Sequence, residues 1–299
     1  MMNPPMPPAP SFPSPYARPS TAPSRAEYVT MADGAQIAAF LYEPSAQESN
    51  TKATMQAVRD TVLFLHGNGG EHGSFGPVID AVLERGCTAL ALDSRAQGRS
   101  TRGSERLTYE LMTADAVAVM DAFGISAAHV LGYSDGGIEA LLLARDYPER
   151  VLSVLALGAN LTPDGVVEDP NWDITGSVAT HRAWADYWLG ESRADGEQHV
   201  DTRLLTPTPE QALWTAELLQ LMLDEPHIEA TSLSSISQPI TIMVGEHDCI
   251  ADYETTTIVS AIAQARLVVV PEVGHSIPKQ APYAIIRELN VLISAVHAS

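Results

Sequence analysis

The sequence predicts an α/β protein with a mostly parallel central sheet and helices on both faces. Short apolar runs of strand length alternate along the chain with longer segments in which apolar residues recur every three or four positions. The short runs are apolar throughout, which is typical of strands that are covered on both faces. Parallel strands joined by right-handed helical crossovers produce that arrangement.

The individual elements follow this alternation from residue 27 onward. Asp33 and Gly34 separate two β-prone runs and predict the turn of an opening hairpin. Buried strands are then predicted at residues 61–65, 87–92, 129–133, 151–157, 240–244 and 267–270. Helices are predicted at residues 74–85, 107–123, 135–146 and 282–297.

The first 25 residues differ from the rest of the chain. They are rich in proline, interleaved with serine and alanine. This composition favours extended polyproline conformations and does not form a packed core. Residues 1–25 are therefore predicted to be a disordered tail, and we expect their deletion to leave activity unchanged.

Residues 160–235 also interrupt the alternation of strands and helices. They contain helix-like stretches at 178–189 and 209–224 and no β-rich run. We predict a helical cap, because insertions at the carboxyl edge of a parallel sheet lie over the site. Its three tryptophans favour a partly apolar substrate group; they are Trp172, Trp184 and Trp214. The core is then predicted to comprise residues 26–159 and 236–299.

Charge and composition exclude several classes of partner. The chain has 17 Lys and Arg against 37 Asp and Glu, which gives a net charge of −20. Nucleic acids and anionic lipid surfaces need clustered cations, so neither is an expected partner. The acidity favours a small, neutral substrate. Because the sequence has neither an apolar run long enough for a membrane span nor a secretory signal pattern, the expected location is the cytoplasm.

The two cysteines occupy different contexts. Cys87 precedes an apolar run and is interpreted as a small buried residue, whereas Cys249 directly follows Asp248. Such a pair predicts neither a disulfide framework nor a zinc site. No metal or organic cofactor is expected.

The strongest functional signal is the segment Gly132-Tyr133-Ser134-Asp135-Gly136, with a predicted strand before it and a predicted helix after it. A serine in this setting is held in a strained turn that leaves no room for side chains two positions away on either side. Its hydroxyl lies at the positive end of the following helix. We predict that Ser134 is a nucleophile; a Gly/Ser turn without chemistry is the alternative.

Four segments in order resemble the α/β-hydrolase family, and the resemblance extends from residue 27 to the C-terminus. They are the loop His66-Gly67-Asn68-Gly69-Gly70, the turn at residues 93–100, the segment around Ser134, and two late loops with an acid and a histidine. The turn has Ala96 where the family has glycine. The resemblance implies the α/β-hydrolase fold with a helical cap. It also implies that the N–H of Asn68 joins that of Asp135 in an oxyanion hole.

A serine hydroxyl needs a base to accept its proton, and the base needs an acceptor to orient it. His275 lies in a glycine-containing loop after the last predicted strand, and His66 is its nearest rival. Asp248 follows the strand at 240–244, with Glu246 and Asp252 as alternatives. The order Ser134, Asp248, His275 is the one expected for the family.

The glycines after His66 admit another interpretation, a phosphate-cradling loop. Neither a Lys-Ser/Thr pair nor a ribose-binding acid follows them at the required spacing, so we disfavour it.

The predicted activity is hydrolysis of a carboxylic ester through an acyl-enzyme on Ser134. Relatives with aspartate at this position form alkyl-enzyme esters, whereas a serine forms an acyl-enzyme. Most chains that resemble this one are esterases or lipases. The alternatives are hydrolysis of a carbon–carbon bond, an amide or a lactone, and a non-catalytic binding protein on the same scaffold.

Overall fold

The computed structural model describes residues 16–44, 60–167, 173–195 and 207–298. Eight strands form one sheet in the order β1-β2-β4-β3-β5-β6-β7-β8. The strands are β1 (Arg25–Thr30), β2 (Gln36–Tyr42), β3 (Thr61–Leu65), β4 (Thr88–Leu92), β5 (Ala128–Tyr133), β6 (Val151–Leu157), β7 (Ile240–His247) and β8 (Ala265–Gly274).

Eight α-helices accompany the sheet in the described residues. They are α1 (Gly76–Glu84), α2 (Tyr109–Ala122), α3 (Asp135–Asp146), α4 (Ile174–Asp195), α5 (Pro209–Asp224), α6 (Asp252–Ala261), α7 (Ile277–Gln280) and α8 (Pro282–Ala298). The helix α5 begins at a capping box in which the side chains of Thr208 and Gln211 each bond to the other residue's backbone N–H.

The predicted fold class is confirmed. Strand β2 pairs antiparallel with β1 and β4, and all other neighbouring strands are parallel. The hairpin between β1 and β2 turns at Gly34, whose φ of 87° lies in the left-handed region. Because β5 to β8 are adjacent and parallel, their carboxyl ends lie along one edge of the sheet.

Each face of the sheet has its own apolar core. All five residues of β3 are buried, and alternate side chains point to opposite faces. Leu63 packs in the cluster that contains Met112 of α2 and Ile138 of α3. Phe64 packs in the cluster on the other face, with Ile79 of α1. This double covering explains why the strands are continuous apolar runs in the sequence.

The segment that connects β6 to β7 contains α4 and α5, which we call the helical insertion. Its observed helices include the two stretches that the sequence predicted, although α4 begins four residues earlier, at Ile174. The indole N–H of Trp184 donates to the Pro207 carbonyl at 3.0 Å. Trp214 and Leu218 pack against the main core. Trp172 lies outside the described residues.

The segment that precedes β1 is described from Tyr16 onward; residues 1–15 of the predicted tail lie outside the described residues. Residues 16–24 have no regular secondary structure, yet they contact the fold. The N–H of Ser20 donates to the Asp80 carboxylate in α1 at 2.9 Å, and the N–H of Ser24 donates to the Leu41 carbonyl at 2.8 Å.

None of the described helices has the length and apolar character needed to span a membrane.

Candidate active site

Ser134 lies in a sharp turn between β5 and α3. Its φ of 55° and ψ of −117° are unusual for a residue with a side chain, so the turn is strained. Three backbone bonds hold it: the N–H of Ser134 donates to the Leu157 carbonyl at 2.8 Å, and its carbonyl accepts from the N–H groups of Gly137 at 2.7 Å and Ile138 at 3.0 Å. The strain is typical of a serine that is presented at the edge of a sheet.

The glycines on either side of Ser134 are required by close backbone contacts. A Cβ added at Gly132 would overlap the Gly136 carbonyl, and a Cβ added at Gly136 would overlap the Leu65 carbonyl at the end of β3. The small residues that the sequence places around the serine therefore reflect the packing of α3 against the sheet.

The three predicted catalytic side chains meet at the carboxyl edge of the sheet. Ser134, Asp248 and His275 directly follow β5, β7 and β8. The Ser134 Oγ lies 3.0 Å from the His275 Nε2, and the His275 Nδ1 lies 2.7 Å from the Asp248 Oδ1. A hydroxyl, an imidazole and a carboxylate thus form one line of hydrogen bonds.

Asp248 and His275 shift each other's pKa in the direction that favours the charged form of each. Burial raises the pKa of Asp248, but its hydrogen bonds outweigh burial and hold the pKa below its usual range. The backbone N–H of Ile250 donates to its Oδ1 at 3.0 Å. Burial lowers the pKa of His275, whereas the Asp248 carboxylate and the Cys249 side chain raise it; the net effect is a pKa above that of free histidine.

The imidazole of His275 also depends on a glycine that the sequence analysis missed. A Cβ added at Gly158 would lie 2.9 Å from the His275 Cε1. Gly158 directly follows β6 and has a φ of 58°. Gly158 could have been found from the sequence, because a glycine at the end of a buried strand often marks a close approach to another group.

The rival histidine and acids have other contacts. His66 is buried; its Nε2 accepts from the Ser94 N–H at 2.9 Å, and its Nδ1 contacts the Gly67 carbonyl at 2.8 Å. The carboxylate of Glu246 accepts from the Glu272 N–H at 2.9 Å. Asp252 is exposed at the start of α6. Within the described residues, the carboxylate that bonds to His275 is that of Asp248.

The two predicted oxyanion donors lie beside Ser134. Asp135 is the first residue of α3, where no carbonyl of the helix can accept its N–H. Asn68 lies in the loop after β3, which approaches the turn so closely that a Cβ on Gly67 would lie 2.9 Å from the Ser134 Cβ. Neither the Asn68 nor the Asp135 N–H donates to a backbone carbonyl of the described residues.

The side chain of Asp135 is a feature that the sequence analysis missed. Its Oδ1 accepts from the Tyr109 hydroxyl and its Oδ2 from the Asn68 side chain, both at 3.1 Å. Burial raises the pKa of Asp135 to about 6.

Nearby Glu139 is also buried, and neither of its oxygens has a hydrogen-bond partner in the described structure. Burial raises the pKa of Glu139 too. The sequence signal that could have indicated these buried carboxyl groups is the presence of two acids in the first turns of a largely apolar helix.

Two groups of side chains have the composition of metal ligands. Ligand atoms of Asp248, Cys249 and His275 lie within 4.8 Å of one another, and an exposed group comprises Glu246, His247 and Glu272. In the first group, Asp248 and His275 already share a 2.7 Å hydrogen bond. Its geometry therefore suits proton transfer.

One cavity has Ser134 in its wall, and a second has Asn68 in its wall. One, of about 10 Å³, is lined by Ser134, His275 and Cys249, together with the acids Asp135 and Glu225. This volume holds about one water molecule. The other, of about 230 Å³, lies between the loop after β3 and the helical insertion. Its walls include Asn68, Gln97, His181, Trp214 and Leu218.

Comparison with known proteins supports the resemblance found in the sequence. A family model described as alpha/beta hydrolase fold matches residues 60–205. The resemblance to the α/β-hydrolase fold family is therefore confirmed. The hydrolase fold is also that of an enol-lactonase from Burkholderia xenovorans LB400, with a TM-score of 0.65, 18% identity, and coverage of 89% of this chain and 99% of that one. A hydrolase from Pseudomonas aeruginosa PA01 superposes with a TM-score of 0.64, 20% identity, and coverage of 90% and 98%.

Two curated relatives share parts of this hydrolase sequence. The Caulobacter vibrioides protein named "Putative carbamate hydrolase RutD" is 37% identical over 109 residues, which are 36% of this chain and 40% of that protein. The chain thus matches less than half the length of this relative. Serine hydrolase BPHL from Mus musculus is 27% identical over 222 residues, which are 72% of this chain and 73% of that protein.

Proposed function

We propose that this protein is a serine hydrolase that cleaves a carboxylic ester through an acyl-enzyme intermediate. The single observation that carries the proposal is the unbroken line of hydrogen bonds from Ser134 through His275 to Asp248, with distances of 3.0 and 2.7 Å. This constellation is recognised by geometry and is shared by serine hydrolases of several folds.

The proposed reaction has two halves. The Ser134 Oγ attacks the ester carbonyl while His275 Nε2 accepts its proton, and the tetrahedral intermediate collapses as His275 returns the proton to the leaving alcohol. Water then attacks the acyl-enzyme by the same route and releases the acid. Asp248 keeps the Nδ1 proton of His275 in place, so that Nε2 is free to accept.

The reaction also requires hydrogen-bond donors that stabilise the negatively charged oxygen of the tetrahedral intermediate. In the proposal it accepts hydrogen bonds from the N–H groups of Asn68 and Asp135, neither of which donates to a described backbone carbonyl. One such donor is worth about 3 kcal/mol of transition-state stabilisation in comparable enzymes. The N-terminus of α3 adds a favourable dipole.

The cavities favour a neutral substrate with a partly apolar group. The acids Asp135 and Glu225 beside the nucleophile disfavour an anion there. We propose that the small cavity takes the reacting group and that the larger one, with Trp214 and Leu218 in its wall, takes an apolar substituent. A carbamate is the second candidate substrate, because the relative in Caulobacter vibrioides is named for carbamate hydrolysis.

A panel of p-nitrophenyl esters of increasing acyl length, with matched p-nitrophenyl carbamates, tests the proposal. We expect a rate that depends on acyl length and falls by about 10⁵-fold or more in Ser134→Ala. The exposed Ser126→Ala is the matched control and should keep the full rate. A fluorophosphonate probe should label wild type and Ser126→Ala, but not Ser134→Ala.

The outcomes separate the alternatives. Faster turnover of the carbamates would reassign the substrate class. Labelling of Ser134 without turnover of either series would direct the search to amides, lactones and carbon–carbon bonds. Rates that are flat across the panel and unchanged by Ser134→Ala, with no labelling, would indicate a binding protein instead.

A further inference from the structure

The segment at residues 16–24, here called the N-terminal strap, is docked on the hydrolase core. The N–H of Ser20 donates to both oxygens of the Asp80 carboxylate, at 2.9 and 3.1 Å. Arg18 forms an ion pair with Glu71 in the loop before α1. The strap therefore crosses the start of α1 on its way to β1.

Two glycines beneath the strap leave room for it, because a side chain at either position would overlap strap atoms. A Cβ added at Gly76 would overlap the Ala17 carbonyl oxygen, and the three nearest atoms all belong to Ala17 and Arg18. At Gly73, an added Cβ would lie 2.6 Å from the Arg18 guanidinium. The start of α1 thus lacks side chains where the strap passes, which makes the contact specific.

Tyr16, the first described residue of the strap, contacts β5 just before Ser134 and α7 just after His275. The Lys279 ammonium, in α7 after the His275 loop, lies 4.2 Å from the centre of the Tyr16 ring, within range of a cation–π interaction. Burial raises the pKa of Tyr16, and a hydrogen bond with the Tyr133 side chain opposes that rise. Tyr133 is the residue immediately before the nucleophile.

Tyr133 connects these contacts to the base. Burial and the nearby Tyr16 raise the pKa of the Tyr133 phenol, and a hydrogen bond with the Ser276 side chain lowers it. The Tyr133 ring lies 5.2 Å from the His275 ring, centre to centre. The phenol of Tyr16 thus meets a polar pair that joins the residue before Ser134 to the residue after His275.

We propose that the strap acts through Tyr16 to position the base: it braces Tyr133 and α7, and thereby fixes the His275 imidazole relative to Ser134. Tyr16 is a positioning residue, since it touches neither substrate nor the reacting atoms. Small displacements of reacting groups cost large factors in rate, so a brace of this kind affects kcat. The inference rests on the proposed hydrolase function, and it replaces the expectation that residues 16–24 are dispensable.

Gly76→Ala and Tyr16→Ala test the proposal from opposite sides of the contact. Gly76→Ala places a methyl group where the strap lies, and Tyr16→Ala removes the brace while the strap stays docked. Both should lower kcat about tenfold with little change in KM. Tyr16→Phe keeps the ring over Lys279 and should recover part of the loss. The control is Thr21→Ala, an exposed strap position, which should behave as wild type.

Two further measurements make the test independent of folding defects and of substrate choice. Hydrogen exchange should show loss of protection at the Ser20 amide in Gly76→Ala but not in Tyr16→Ala. The rate of fluorophosphonate labelling should fall with kcat in both variants. An active wild type with unchanged kcat and labelling in both variants would overturn the brace, whereas an inactive, unlabelled wild type would overturn the proposed function.

Discussion

The side-chain amide of Asn68 donates a hydrogen bond to the Leu218 carbonyl in α5 at 3.1 Å. The same nitrogen donates to the Asp135 carboxylate, also at 3.1 Å. One amide thus joins the loop after β3, the start of α3 and the helical insertion. Because the backbone N–H of Asn68 is a proposed oxyanion donor, the position of that donor depends on how the insertion packs.

Asn68→Ala tests this dependence, since it removes the bridging amide and keeps the backbone N–H. We expect kcat/KM for the best ester to fall about tenfold, because hydrogen bonds to charged groups contribute about 1.5–3 kcal/mol. The control is Gln220→Ala, which removes a bond within α5 to Asp224 and should keep the wild-type rate. Equal rates for Asn68→Ala and wild type would mean that the loop holds its position without the insertion.

Much of the fold could be predicted because its physical causes are local in sequence. Strand β3 is buried on both faces, and a doubly covered strand has to be apolar at every position. The turn at Ser134 was recognisable for a similar reason. The contacts that exclude side chains at Gly132 and Gly136 leave a fixed pattern in the chain.

Features that depend on distant partners could not be predicted in this way. Helix α6 buries few of its residues, Glu254, Thr255 and Ile258 among them, so its apolar pattern is weak. The bond between Tyr109 and Asp135 spans 26 positions, and a sequence records the polarity of each residue but not its partner. The strap was missed because its proline-rich composition is also that of a disordered segment, and Gly76 gives no local sign of what crosses it.

The pH dependence of activity should report the pairing of His275 with Asp248. The base works only when neutral, so kcat/KM should rise with pH through the apparent pKa of His275. In wild type this midpoint should lie above about 6.5, the ordinary value, because the Asp248 carboxylate outweighs burial and stabilises the protonated ring. Asp248→Asn should lower the midpoint and reduce kcat by about 10³–10⁴-fold.

The exposed Asp252→Asn serves as the control for this measurement, because Asp252 was the alternative acid in the sequence. Its profile should match that of wild type. If Asp252→Asn moved the midpoint and Asp248→Asn did not, the assignment of the acid would be wrong.

Asp135 should make the protein less stable as the pH rises. Burial raises its pKa to about 6 from the ordinary value of 3.8. The folded state therefore keeps this proton to higher pH than the unfolded state, and stability is lost as the pH rises through that interval. Asp135→Asn carries no such charge. We expect equal stability near pH 4 and an advantage for the variant of up to about 3 kcal/mol at pH 8.

Thermal unfolding of Asp135→Asn and wild type at several pH values measures this difference. Asparagine can still accept from Asn68 and donate to the Tyr109 hydroxyl, so the substitution is nearly isosteric. The matched control is Asp164→Asn at an exposed position, which should show no advantage that grows with pH. A gap in Tm that stays constant from pH 4 to pH 8 would show that Asp135 is not the titrating group.

Iodoacetamide should inactivate the enzyme through Cys249 and leave Cys87 unmodified. Cys249 lines the cavity of about 10 Å³ beside Ser134 and His275, so a carbamidomethyl group on its sulfur would fill the space that the substrate carbonyl needs. Cys87 is buried away from that cavity, and burial raises the pKa of its thiol, which keeps it in the unreactive form. Iodoacetamide should therefore inactivate wild type and Cys87→Ala at the same rate and spare Cys249→Ala. A saturating ester substrate should slow the inactivation, since it occupies the same space. Equal sensitivity of Cys249→Ala and wild type would place the modified group elsewhere and separate Cys249 from the site.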